Sequence, residues 1–180
     1  FIVGMPINDE GKIFNTAVLI HKGRILGIVP KIYIPGYKEF YEERWFASGR
    51  DIIKKEIQLF GQTVPIGSDL LFPIGDSGVV LGIEICEDLW APLPPSSFQA
   101  LRGANIIANL SASNELVGKA DYRRSLVAQQ SARGGLGYIY SSSGVHESTT
   151  DLVFGGHALI AENGSILAES ERFKREGEMI

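Results

Sequence analysis

The sequence predicts an α/β fold, because strand-like and helix-like segments alternate through residues 79–142. Residues 79–86, 104–110 and 137–142 are short apolar runs, typical of strands that are buried on both faces. Residues 119–133 contain good helix formers and lie between the last two runs. Strands joined through helices in this order pair in parallel by right-handed crossovers, so we expect a parallel sheet at the centre of the fold.

The N-terminal part predicts antiparallel strands instead. Residues 1–5 form a short apolar run that we expect to end at Pro6. Residues 16–20 and 25–29 are two further apolar runs with a turn between them, which is typical of a hairpin. Gly23 lies in this turn, where a residue that tolerates positive φ is needed.

Residues 30–69 are predicted to be irregular, since neither a strand nor a helix period extends through them. Irregular segments of this length inside a compact domain are usually functional or disordered, and a high aromatic content argues against disorder. We therefore expect a functional segment, with aromatic side chains at Tyr33, Tyr37, Phe40, Tyr41, Trp45 and Phe46.

Glycine and capping signals set the expected ends of the two helices. Ser96 and Gln99 have the spacing of a capping box and predict a helix start, with Gly103 at the end of that helix. The second helix, which begins at residue 119, is expected to stop at Gly134 and Gly135.

Residues 157–161 and 165–169 predict a second hairpin around Asn163 and Gly164. This hairpin aligns without gaps on the N-terminal hairpin. Either amphipathic hairpins simply look alike, or the protein contains a pseudo-duplicated sheet in which antiparallel hairpins extend a parallel core.

Composition excludes several classes of protein. The net charge of -4 and the pI near 5.4 argue against a nucleic-acid-binding protein, which needs a basic surface. No apolar run approaches the ~18 residues that span a bilayer, so no membrane partner is expected. A single cysteine excludes an internal disulfide or a multi-cysteine metal site. The N-terminus does not resemble a secretory signal, and a cytoplasmic protein is expected.

Cys86 is the strongest candidate for a catalytic residue. It ends the most apolar predicted strand, and ligands of α/β sheets collect beyond the carboxyl ends of strands. A buried structural cysteine is the alternative. The neighbouring carboxylates of Glu84, Glu87 and Asp88 disfavour a thiolate, and strand alternation predicts that Glu84 shares a face with Cys86.

A nucleophile in acidic surroundings needs either a base or a nearby cation. His21 and His157 lie in the predicted hairpins and are expected to be solvated, whereas His146 lies in a polar loop and remains a candidate base. Lys31 follows a hairpin strand and is a candidate cation that points into a cleft. The alternative for Lys31 is an ordinary solvated lysine.

Four segments of the sequence, in order, resemble the nitrilase (carbon–nitrogen hydrolase) superfamily. They are the lysine segment 31–46, the nucleophile segment 84–90, the block 109–124 and the closing hairpin 154–164. The extended lysine segment is similar to that of the glutaminase domains of glutamine-dependent NAD synthetases. Four matching blocks make this resemblance far more specific than Cys86 alone.

The resemblance implies an α-β-β-α sandwich, truncated at both ends, and a Glu-Lys-Cys triad. It matches Cys86 to the nucleophile, Lys31 to the lysine that supports the oxyanion, and the Glu87 N–H to the second oxyanion donor. The general-base glutamate of the family lies upstream of Phe1. No residue of this chain is therefore assigned that role, and Glu84 is not its replacement.

The resemblance further implies a glutamine-binding site made by Tyr37, Glu87, Ser113 and Lys119, with Trp90 on an aromatic wall. The chemistry of glutamine fits these residue types. Its α-ammonium needs a carboxylate such as Glu87, and its α-carboxylate needs a cation and a hydroxyl such as Lys119 and Ser113. Lys119 is the least specific match, because arginine also occurs at that position.

Residues 1–180 are therefore expected to be part of a glutaminase domain that releases ammonia from glutamine through a cysteine thioester. In the full-length enzyme the ammonia amidates nicotinic acid adenine dinucleotide to NAD. That step belongs to a C-terminal synthetase domain, absent from this chain, which uses ATP and magnesium. The glutaminase domain itself is expected to need no cofactor and to form a homo-oligomer, and the chain alone is expected to be inactive.

Two alternatives compete with this hypothesis. One is a stand-alone nitrilase-family amidase that acts on another small amide, and the other is a non-catalytic module in which Cys86 is merely buried. Comparing the turnover of glutamine with that of other small amides and nitriles tests the first alternative. Reaction of native and denatured protein with a thiol reagent distinguishes the second.

Overall fold

The computed structural model describes residues 1–147 and 151–180. Its first sheet contains three antiparallel strands in the order β1 (Ile2–Asp9), β2 (Lys12–His21) and β3 (Arg24–Pro30). The expectation that the first strand ends at Pro6 is wrong, because Pro6 pairs with Asn15 inside β1. β1 is an edge strand of this sheet, where a proline can be tolerated because its missing N–H need not interrupt the ladder.

Only part of the segment 30–69 is irregular. It contains two short 3-10 turns, at Glu42–Arg44 and Gly49–Asp51, and then a hairpin of β4 (Glu56–Leu59) and β5 (Gln62–Pro65). The prediction missed this hairpin because each strand has only four residues, too few for a clear alternating pattern.

The second sheet has six strands and contains the predicted parallel core. The strands are β6 (Phe72–Pro73), β7 (Val80–Ile85), β8 (Ile106–Ser111), β9 (Gly137–Ser142), β10 (Ala158–Glu162) and β11 (Ser165–Glu169). Their order is β11-β10-β9-β8-β7-β6. β7, β8 and β9 pair in parallel, and the hairpin of β10 and β11 extends them in the antiparallel sense. The α/β fold class is confirmed.

Two helices lie against the second sheet. α1 (Pro95–Leu101) begins after Pro94, so Ser96 and Gln99 do not form the predicted capping box. Their side chains are instead buried and used for tertiary bonds, because Gln99 donates to the carbonyl of Ile83 at 2.8 Å. α2 (Lys119–Gly134) ends as predicted, with Gly135 in the left-handed conformation. Neither helix in the described part of the chain is long and apolar enough to cross a membrane.

The two sheets pack face to face through alternating side chains. Ala17 and Val29 of the first sheet contact a cluster that includes Ile83 and Ile85 of β7. The opposite face of the first sheet is covered by the β4–β5 hairpin, while α2 covers the opposite face of the second sheet. This layering places the carboxyl ends of β3 and β7 near each other, where Lys31 and Cys86 follow them.

The two predicted hairpins share more than sequence. Both have a register shift two residue pairs before the turn, between Leu19 and Ile20 in the first and between Ile160 and Ala161 in the second. Both also turn through two residues of positive φ, the geometry of a type I′ turn. The same turn geometry occurs between β1 and β2 and between β4 and β5, so the turn is not specific to these two hairpins, whereas the register shift is absent from those other two, which both lie within the described residues.

His157 is buried, and the expectation that it is solvated is wrong. Its Nδ1 lies 2.9 Å from an Nη1 of Arg123, and its Nε2 lies 2.9 Å from a carboxylate oxygen of Glu169. A guanidinium can only donate, so Nδ1 accepts and the ring proton must lie on Nε2. His157 is therefore a neutral link between α2 and β11.

We predict that His157 makes the stability of the protein depend on pH. Burial, and after it the charge of Arg123, lowers the pKa of His157 from 6.5 to about 4 in the folded state. The unfolded state takes up the proton at higher pH, so this contribution is complete above pH 6.5 and is lost as the pH falls through 4. In urea denaturation, the free energy of unfolding should lose ~1–3 kcal/mol from this group.

The matched variant for this measurement is His157→Asn, whose side-chain oxygen still offers an acceptor to Arg123. All other titrating groups are shared with the wild type, so the difference in the free energy of unfolding isolates His157. We expect that difference to shrink between pH 7 and pH 4. A difference that stays constant with pH would contradict the buried neutral imidazole.

Candidate active site

Cys86 stands at a sharp turn between a strand and a helix. It follows β7 directly, is the first residue of the 3-10 helix Cys86–Trp90, and has a φ of 48°. This left-handed conformation is unfavourable for a residue with a side chain and persists only where the surroundings enforce it. Its N–H donates to the side-chain oxygen of Asn109 at 3.1 Å. The strain is typical of functional turns.

The turn separates Cys86 from Glu84, so the prediction that they share a face is wrong. Cys86 packs with Ile83 and Ile85 between the sheets. Glu84 points to the helical side, where it accepts a bond from the Tyr138 hydroxyl and one from an N–H of α1 at 2.8 Å. Burial raises the pKa of Glu84. This carboxylate supports the interior and is not aimed at the thiol.

Asp88 joins the turn at Cys86 to the lysine segment. One carboxylate oxygen accepts the N–H groups of Ile32 at 3.1 Å and Tyr33 at 2.9 Å, and the other accepts the N–H of Ile85 at 3.0 Å. Burial raises the pKa of Asp88 to about 7, against the backbone donors, which lower it. A single buried side chain thus ties the residue after Lys31 to the residue before Cys86.

Lys31 is 1% exposed, which excludes the solvated-lysine alternative. Its ammonium bonds both carboxylate oxygens of Glu42, each at 2.8 Å. Lys31, Glu42 and Cys86 line one cavity of about 540 Å³, together with Ser111 and Ser142. The sequence analysis missed Glu42. The irregular segment contains several glutamates, and only its folded conformation shows which one contacts Lys31.

A second cavity, of about 370 Å³, also reaches Cys86. The structure brings together here all the side chains expected to bind substrate, which are Tyr37, Glu87, Trp90, Ser113 and Lys119. Cys86 therefore lies between a cavity that contains a buried lysine–glutamate pair and a cavity lined by charged and aromatic side chains.

The second cavity contains opposite charges that burial destabilises. The Tyr37 hydroxyl donates to Glu87 at 2.7 Å, and burial still raises the pKa of Glu87. Burial, and then the charge of Arg123, lowers the pKa of Lys119. The Lys119 ammonium donates to the Asn114 side chain and lies 5.4 Å from the centre of the Trp90 ring. A ligand with a cationic and an anionic group would compensate both side chains.

The histidines do not supply a base for Cys86. His21 is exposed, and His146 is exposed with its ring bonded to the carbonyl of Arg175 at 2.9 Å. None of the three histidines, all within the described residues, lines either cavity that contains Cys86. The described ranges also hold no group of three or more His, Cys, Asp or Glu side chains that could bind a metal ion.

Comparison with known proteins identifies the family of this chain. The sequence pattern described as carbon–nitrogen hydrolase matches residues 1–177. The chain belongs to the carbon–nitrogen hydrolase family. The resemblance found from the four sequence segments is confirmed at the level of this family.

Glutamine-dependent NAD(+) synthetases are among the family members that are similar to this chain. The glutamine-dependent NAD(+) synthetase of Mycobacterium tuberculosis is 49% identical over 175 residues, which cover 97% of this chain and 26% of that protein. The crystal structure of a glutamine-dependent NAD(+) synthetase from Cytophaga hutchinsonii superposes with a TM-score of 0.82 at 26% identity, over 95% of this chain and 27% of that one. The chain thus spans about a quarter of the length of these members of the family.

A more distant structure shows the shared fold. The carbon–nitrogen hydrolase of Helicobacter pylori superposes with a TM-score of 0.72 at 23% identity, over 97% of this chain and 59% of that one. The two packed sheets and their helical layer are therefore those of the family.

We predict that Asp88→Asn lowers the free energy of unfolding by ~1–3 kcal/mol at pH 8. The amide oxygen can still accept from Ile32 and Tyr33, but the amide nitrogen then faces the N–H of Ile85, donor against donor. Denaturant titration of both proteins measures the loss. The control is Asp76→Asn in an exposed turn, which should change the value by less than ~0.5 kcal/mol. Equal values for the two variants would refute the role of Asp88.

Proposed function

We propose that this chain is the glutaminase part of a glutamine-dependent NAD synthetase and that it hydrolyses the side-chain amide of glutamine. The observation that carries the proposal is the position of Cys86, which borders both the cavity of Lys31 and the cavity that holds Glu87 and Lys119. The long match to synthetases of that name supports the choice of substrate.

In the proposed reaction, the sulfur of Cys86 attacks the amide carbon and forms a tetrahedral intermediate. The Lys31 ammonium and the N–H of Glu87 stabilise the negative oxygen, because donors placed in advance act where charge develops. Glu87 is the second residue of its 3-10 helix, so its N–H has no partner within that helix. The thiol proton passes to the family's general-base glutamate, which is not a residue of this chain, and from it to the departing nitrogen.

Ammonia then leaves and a glutamyl thioester remains on Cys86. Water attacks the thioester, giving up a proton to the base, and glutamate is released with the thiol restored. Glu42 holds the Lys31 ammonium through both carboxylate oxygens. In this reaction it orients the lysine, and the pair needs no rearrangement when the oxyanion forms.

The charges of the second cavity fit the other end of glutamine. The carboxylate of Glu87 pairs with the α-ammonium, and the Lys119 ammonium with the Ser113 hydroxyl pairs with the α-carboxylate. Tyr37 orients Glu87 through its hydroxyl, and Trp90 forms an apolar wall for the methylene groups. Each of these two charges then gains an ionic partner, which offsets the cost of its burial.

The wider role follows from the relatives and is part of the same proposal. The ammonia would be consumed in ATP- and magnesium-dependent amidation of nicotinic acid adenine dinucleotide, carried out by a C-terminal synthetase domain in a cytoplasmic homo-oligomer. A stand-alone amidase for another small amide is the less supported alternative, since the match to synthetases covers 97% of this chain.

We predict that Cys86→Ala abolishes glutamine hydrolysis in the complete polypeptide to which these residues belong. A glutamine-derived diazoketone should alkylate Cys86 with loss of nitrogen gas, one label per chain by mass spectrometry. The base and the oxyanion donors each contribute ~10²-fold or more, all of which needs the nucleophile. Activity above a few per cent in Cys86→Ala would exclude the thioester. Faster turnover of a different small amide would instead favour the amidase alternative.

We predict different kinetic effects at the two lysines of the site. Lys31→Met should lower kcat with little change in KM, because the oxyanion exists only in the transition state. Lys119→Met should mainly raise KM, as expected for loss of a charged contact worth ~1.5–3 kcal/mol. Steady-state kinetics with glutamine measure both effects.

Ammonium salts provide the control, since free ammonia enters after the amide is broken. Both variants should keep ammonia-dependent NAD synthesis. If Lys31→Met loses that activity as well, the damage lies in folding or domain contacts rather than in oxyanion stabilisation.

A further inference from the structure

We infer that Arg123 is the positioning residue for the carboxylate-binding end of this site, acting through Ser113 and Asn114. The inference rests on the proposed function and deepens it. Arg123 lines neither cavity that contains Cys86, and its side chain is fully buried in α2 behind the second cavity.

One end of the guanidinium holds the loop that forms the cavity wall. Nη2 of Arg123 donates to the hydroxyl oxygen of Ser113 at 3.2 Å and to the backbone carbonyl of Asn114 at 3.3 Å. A guanidinium has no acceptor, so the Ser113 oxygen must accept in this pair. The hydroxyl proton of Ser113 is then left to donate elsewhere. Arg123 thereby makes Ser113 a donor, which is the role that an anionic ligand group requires.

Asn114 links Arg123 to Lys119, the cation of the second cavity. Its side-chain oxygen accepts from the Lys119 ammonium, and its side-chain nitrogen donates to Glu39 at 2.8 Å. Because Arg123 holds the backbone of Asn114, it also sets where the Lys119 ammonium is held. Both groups expected to meet a carboxylate are thus positioned by one buried side chain.

The other end of the guanidinium is held rigidly. Nη1 of Arg123 bonds Glu115 at 2.9 Å and Nδ1 of His157 at 2.9 Å. Glu115 is bound in turn by Arg172 at 3.1 Å, and His157 by Glu169. Removing one partner of such a buried pair is costly, so the guanidinium is held in one place.

A pair of diazoketones tests this inference without relying on turnover. One is the glutamine analogue, and the other is the same compound without the α-carboxylate. The rate of Cys86 labelling by each is followed by mass spectrometry, and their ratio reports recognition of the carboxylate. We expect the wild type to prefer the complete analogue by ~10-fold or more, and Arg123→Lys to reduce that preference by ~5-fold or more.

A double-mutant cycle shows whether Arg123 acts through Ser113. Ser113→Ala should also reduce the preference. Adding Arg123→Lys to it should reduce the preference further by clearly less than the ~5-fold seen in the wild type, because only the route through Asn114 and Lys119 then remains. The matched control is Arg124→Lys, the next residue of α2, which is half exposed and pairs with Glu169. It should leave the preference unchanged, and thermal unfolding should show that all variants are folded.

The outcomes separate this inference from the proposed function. A wild type with no preference for the carboxylate contradicts the proposed function, and the inference with it. A wild-type preference that Arg123→Lys leaves unchanged, or reduces independently of Ser113, overturns the inference alone. If Arg123→Lys does not fold, Glu115→Gln takes its place in the cycle, since it removes the negative charge that pairs with the guanidinium.

Discussion

The three hydrogen bonds of Asp88 are the constraint on which the site depends. Lys31 follows a strand of the first sheet and Cys86 follows a strand of the second, so neither sheet alone places them together. Asp88 accepts backbone N–H groups from both segments in a buried position. Backbone donors buried without an acceptor are costly, so the two segments are held at a definite distance. The placement of Lys31 relative to Cys86 therefore rests on a residue that lines neither of their cavities.

A buried polar network supports the strained turn at Cys86. The N–H of Cys86 donates to the side-chain oxygen of Asn109, and the side-chain nitrogen of Asn109 donates to the hydroxyl oxygen of Tyr138 at 3.0 Å. Tyr138 donates onward to Glu84, which caps an N–H of α1. Each member of this chain has a partner, and such networks are stabilising only when they are complete. Glu84, which the sequence analysis counted among the carboxylates that disfavour a thiolate, is therefore part of this structural network.

The charged side chains near Cys86 form two groups: some have an ionic partner within the protein, and others line a cavity that a ligand can enter. Lys31 and Arg123 are buried but paired, with Glu42 and Glu115 respectively. Glu87 and Lys119 line the second cavity. Burial raises the pKa of Glu87 and lowers the pKa of Lys119, so it disfavours the charged form of each. A pocket of this kind favours a ligand that carries both charges, which ordinary apolar amides lack. In the proposed function, substrate selection and catalysis thus use separate charges on the two sides of Cys86.

The sequence by itself determined the parallel strands, the two helices, the hairpin turns and the candidates Lys31 and Cys86, because periodicity, turn residues and the four family segments are local signals. It could not show that Pro6 lies inside an edge strand, that His157 is buried, or that Glu42 faces Lys31. These features depend on which segments meet after folding. Burial and pairing of charges are decided by contacts between residues far apart in the chain, and only the tertiary structure supplies them.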